Sequence, residues 1–143
     1  MFNPTQQEVR QFFCSTFDKH RRNTILTPIE AIARDWIAEH PEYAATLSDL
    51  DAALAANYAV EHGQSNPFLH LSMHLSISEQ ISIDQPPGIS AAFLALARRL
   101  DSQHEAHHQI MECLGEMMWT AQRSGLPPDG AAYIDCVQRR ALG

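Results

Sequence analysis

The chain is punctuated as a succession of helix starts and stops, and that punctuation leaves little room for any other fold class. Asn3-Pro4, Thr27-Pro28 and Asn66-Pro67 each place a capping side chain before a proline. A first-turn proline gives up an N–H that no helical carbonyl would have accepted. Thr27-Pro-Ile-Glu30 and Ser102-Gln-His-Glu105 have the spacing of a capping box, in which the two side chains satisfy each other's backbone N–H groups. Between these signals the apolar residues follow the helical period, as in Val9, Phe12, Phe13 and Phe17, or Ile29, Ile32, Ala33, Trp36 and Ile37. The stops are the cations Lys19 to Arg22, then Pro41, Pro86-Pro87-Gly88 and Gly125-Leu-Pro-Pro128. Gly63-Gln-Ser-Asn66 reads as a turn, and the alanine-rich stretch from Tyr43 to Tyr58 as one helix or two short pieces. Nothing alternates like a strand. The expectation is an all-α protein, a single helical domain over residues 1–143, built as a compact bundle of about six helices with short loops.

Charge and cysteine usage narrow the function classes. The net charge of −7 comes with no basic stripe, which argues against nucleic acid and against an anionic membrane. The polar start of the chain lacks the apolar core of a signal peptide, and no apolar run approaches the roughly 20 residues of a membrane span. Cys14, Cys113 and Cys136 are widely spaced and odd in number, so the sequence predicts reduced thiols and a cytoplasmic protein. Phe12, Phe13 and Phe17, with the alanine-rich segment, suit the interface of a homo-oligomer. Beyond that, the partner is an unidentified small molecule or protein.

Chemistry concentrates in the histidines. His70 and His74 are four residues apart, as are His104 and His108, and that spacing stacks two imidazoles on one helix face. His74 falls among Leu71, Ile77 and Ile81 on the apolar face. In the second helix His104, His108 and Glu112 form a ladder bordering an apolar centre of Ala106, Ile110 and Leu114, with His107 at its edge. Gly115 lies on the ladder face, and a mid-helix glycine there predicts close approach by another element.

These histidines suit two arrangements. In the first, zinc or another divalent transition metal sits between the two histidine helices, with His70, His74 and His108 as ligands and His104 or Glu112 completing the shell. In the second, the protein is a non-catalytic interaction protein, and its histidines form a buried hydrogen-bond network. His104-Glu-Ala-His-His108 also spells H-E-x-x-H, with Glu105 as general base, but the sequence offers neither a third ligand segment nor a sheet to hold a peptide. A di-iron carboxylate site fails too, since Glu105-Ala-His-His108 has no second copy.

The runs Asn66-Pro-Phe-Leu-His-Leu-Ser-Met-His74, Glu79-Gln80 and Pro87-Gly-Ile89 resemble a bacterial family, domain of unknown function 1841. So do His104-x-x-x-His108, Met111-Glu-Cys-Leu-Gly-Glu116 and Trp119-x-Ala-Gln-Arg123. The resemblance runs from about Thr27 to Tyr133 and implies a cytoplasmic bacterial protein. It implies no activity, substrate or catalytic residue.

Overall fold

The computed structural model describes residues 5–58 and 66–143, and every regular element among them is helical. Asn3-Pro4 and Gly63 to Ser65 lie outside the described residues. The chain divides into two compact units, Met1–Leu75 and Ser76–Gly143. The helices are α1 (Gln6–Arg21), α2 (Pro28–Ala38), α3 (Ala44–Leu47), α4 (Leu50–Ala55), α5 (Pro67–Ile83), α6 (Ile89–Leu100), α7 (Gln103–Ser124) and α8 (Gly130–Leu142), with a 3-10 turn at Pro41–Tyr43. Among the described residues there are eight rather than about six, in part because the alanine-rich stretch forms two short helices, parted where Asp49 caps α4 through Ala52 N. The division between the units falls within α5.

In the first unit the N-cap of α1 is Thr5 rather than the expected Asn3, because Thr5 and Glu8 have the spacing of a capping box that the sequence reading passed over. Thr5 Oγ1 accepts from Glu8 N, and the Glu8 carboxylate accepts from Thr5 N. Thr27 and Glu30 form the expected box at α2, and Lys19 Nζ adds an ion pair to Glu30 at 2.8 Å. That ion pair, more than any other contact, holds the Glu30 carboxyl below its usual range. Phe13, Ile37, Leu47, Ala53, Phe68 and Leu71 form the core, with Phe12 and Phe17 partly buried against it. These phenylalanines therefore contribute to the unit's own core. Cys14 is also buried there, and burial, followed by the nearby Asp49 carboxylate, pushes its thiol up. Arg10 is buried, donating through Nη1 to Ala53 O and Ala56 O at 2.9 and 2.7 Å.

The second unit packs α6, α7 and α8 against one another. The turn into α6 needs Gly88, whose φ of 100° is in the left-handed region. The Asp84 carboxylate accepts from Gly88 N and Ser90 N and fixes that turn. Ile89, Leu96, Ile110 and Val137 are fully buried. The buried Tyr133 hydroxyl donates to Gln80 Oε1 at 2.7 Å, and burial pushes its pKa up.

The structure differs from the sequence expectations at the cysteines and at Gly115. Cys113 on α7 and Cys136 on α8 form a disulfide, so of three thiols expected to be reduced only Cys14 is free. Their spacing gave no sign of it, because the pairing arises from the apposition of α7 and α8. Gly115 is exposed, and a Cβ built on it would meet nothing within 4 Å, so no element packs closely there. The glycine then carries only its entropic cost. Gly115→Ala is expected to stabilise the protein by up to about 1 kcal/mol. A lower urea midpoint for the variant would show that the glycine conformation is needed after all.

Among the described residues no helix is long and apolar enough to cross a membrane.

Candidate functional site

In the first unit the histidines gather around a residue that spacing did not reveal. His40 follows the end of α2, before Pro41, and is buried. Its Nδ1 lies 2.9 Å from Trp36 O. A carbonyl only accepts, so Nδ1 carries the proton and Nε2 of the neutral ring presents its lone pair. That Nε2 lies 3.0 Å from His70 Nε2. His74 is 0% exposed, as its place on the wheel predicts, and its ring stacks on Trp36 with centroids 3.9 Å apart. The His70 and His74 rings are 4.8 Å apart, and ring nitrogens of His40 and His74 lie within 4.8 Å of each other. His40 was missed because a lone histidine beside a proline has no i,i+4 partner. Only tertiary structure brings it to His70.

In the second unit His104 Nε2 lies 3.2 Å from His108 Nε2, one turn along α7. His108 Nδ1 is 3.8 Å from the Glu105 carboxylate. Glu105 also occupies the third position of α7, where its N–H donates to Ser102 Oγ. The Ser102 half of that capping box is formed, while the Glu105 side chain turns to His108. Glu112 is drawn elsewhere: its side chain is 62% exposed and accepts from Arg140 Nη1 at 2.5 Å.

Both imidazole pairs have one chemical property in common. Two nitrogens bound to one tetrahedral ion at about 2.0–2.1 Å stand about 3.3–3.4 Å apart. The pairs at 3.0 and 3.2 Å are within a few tenths of an ångström of that separation. His40 also has the outer-shell arrangement of a metal ligand, one ring nitrogen tied to a carbonyl and the other directed at the site.

A family model matches residues 5–139 of the chain, a span that includes every histidine named above. The chain belongs to the family described as domain of unknown function, DUF1841. No curated protein and no solved structure matches it.

A third histidine of α7 in this DUF1841 protein has a different environment. His107 is buried and meets Phe93 edge-on, with ring centroids 5.4 Å apart. Burial, and secondarily the charges of His104 and His108, lowers its pKa from 6.5 to about 4. The unfolded chain therefore takes up a proton near pH 6.5 that the folded chain refuses until about pH 4. The stability of keeping His107 neutral is fully present above 6.5 and is lost as pH falls through that window. The loss is expected to be about 3 kcal/mol in chelator-treated protein. Urea midpoints at pH 7 and 4.5 for the native chain and His107→Leu measure it. An equally steep pH dependence in the variant would assign the effect to other groups.

Proposed function

We propose that this DUF1841 protein binds a divalent transition metal through imidazole. His40, His70 and His74 are the donors in the first unit, and His104 and His108 those in the second. The observation that carries this reading is the His40 ring, whose Nδ1–H is committed to Trp36 O while Nε2 faces a second imidazole nitrogen at 3.0 Å. Neutral imidazole suits zinc, copper, nickel and iron alike. The first unit supplies three donors and α7 two, and water or another donor completes each four-ligand shell. Glu112 joins the ligands of α7 only by releasing Arg140. A cytoplasmic location belongs to the same reading and rests on the family resemblance, since the disulfide removes the thiol argument.

The rival is a hydrogen-bond network without metal, and the same 3.0 Å contact favours it if His70 Nε2 donates to His40 Nε2. Elemental analysis of protein purified without an affinity tag, with His74→Ala and His74→Gln alongside, separates the two. Bound metal in the native chain that falls in both variants is the expected result. In the network, His74→Ala costs about 1–3 kcal/mol and His74→Gln recovers much of it. No metal in the native chain, with that rescue by glutamine, would sink the metal reading.

A further inference from the structure

The second unit holds a cavity that the histidines do not touch. It has a volume of about 440 Å³, within the range of small-molecule sites, and lies between α7 and α8. Its wall includes Glu116, Trp119, Tyr133 and Arg139, and both sulfurs of the Cys113–Cys136 disulfide belong to lining residues. The two ends of that disulfide differ. Cys113 is 1% exposed, in the core face of α7, whereas Cys136 is half-buried on α8. A disulfide kept only for structure is best placed where no thiol can reach it. This one opens at one end onto a space large enough for a small molecule.

We propose that the Cys113–Cys136 disulfide is a thiol-exchange site, attacked at Cys136 by small thiols that enter this cavity. In the exchange a thiolate sulfur bonds to Cys136 Sγ, the Cys113–Cys136 bond breaks, and Cys113 Sγ leaves with the electron pair and takes a proton from solvent. The product is a mixed disulfide on Cys136 with a buried Cys113 thiol, and a second equivalent of thiol completes the reduction. No other oxidant or reductant is required. Charge sets the preference among thiols. The Glu116 carboxylate is 3.7 Å from Cys136 Sγ, while the nearby Arg139 is paired with Asp135 at 2.9 Å. A thiolate that also carries a carboxylate is therefore repelled, and one that carries an ammonium group is favoured.

The test uses the full chain, isolated without reductant and exposed under native conditions to cysteamine or mercaptoacetate. Samples are quenched in acid, denatured, alkylated and mapped by mass spectrometry. The expected result is a cysteamine adduct on Cys136, an alkylated thiol at Cys113, and no adduct on Cys14. The ratio of the cysteamine rate to the mercaptoacetate rate is expected to fall about fivefold in Glu116→Gln, the effect of exchanging a positive for a negative group roughly 8 Å from one carboxylate in water. Glu116 is exposed, so this variant leaves the core intact. Three results would overturn the site: free thiols at 113 and 136 in the isolated protein, a disulfide that resists both thiols until denaturant is added, or an adduct on Cys113. An unchanged rate ratio in Glu116→Gln would overturn the charge preference.

Discussion

Chelator-treated protein is expected to melt about 5–11 °C higher once zinc, or whichever ion the histidines take, is present at a hundredfold excess over its dissociation constant. An ion that binds only the folded chain adds RT ln(1 + [L]/Kd), about 2.7 kcal/mol at that excess. For a chain of this length each kcal/mol moves the melting temperature by about 2–4 °C. The His40, His70 and His74 rings are ordered only when α2 and α5 are in place, so the unfolded chain offers no preformed competitor site. His40→Ala should shrink the shift, because it removes the ring whose lone pair is already oriented. Thermal scans across zinc, nickel, copper and iron, with no shift for any of them, would leave the imidazole pairs as hydrogen bonds.

Phe13→Ala is expected to cost about 3–5 kcal/mol, whereas Leu69→Ala should stay within about 0.5 kcal/mol. Both residues are large and apolar, and both lie on helices of the first unit. Phe13 is 1% exposed within the core, but Leu69 is 58% exposed one residue beyond the buried Phe68. The first substitution leaves a ring-sized cavity that close-packed neighbours can only partly fill. The second changes a surface already in water. Urea titrations of the two variants measure the contrast, and equal midpoints would mean that Phe13 is not in the core.

Helix type and most helix limits were legible because they depend on neighbours in sequence. Thr27 with Glu30, Pro86-Pro87-Gly88 and Gly125 all do in the structure what their chemistry predicts. His74 was legible for the same reason, since a wheel needs only the helical period. What depended on tertiary apposition was not. His40 joins His70 from thirty residues away, and Cys113 meets Cys136 only because α7 and α8 lie side by side. Gly115 was misread because a mid-helix glycine has the same appearance whether something crosses it or nothing does. His107 was placed at an edge by the wheel but is buried, because α6 brings Phe93 against it.

The guanidinium of Arg10 gives α4 a dependence on distant sequence. That helix is six residues long, too short to persist alone in water. Its closing carbonyls at Ala53 and Ala56 are held by a side chain from α1, more than forty positions earlier in the chain. Order in α4 is thus non-local: its last turn is completed by a contact that exists only when α1 is docked beside it. The two helices should gain and lose structure as one cooperative unit, and a change confined to α1 should be felt at the end of α4 without touching it.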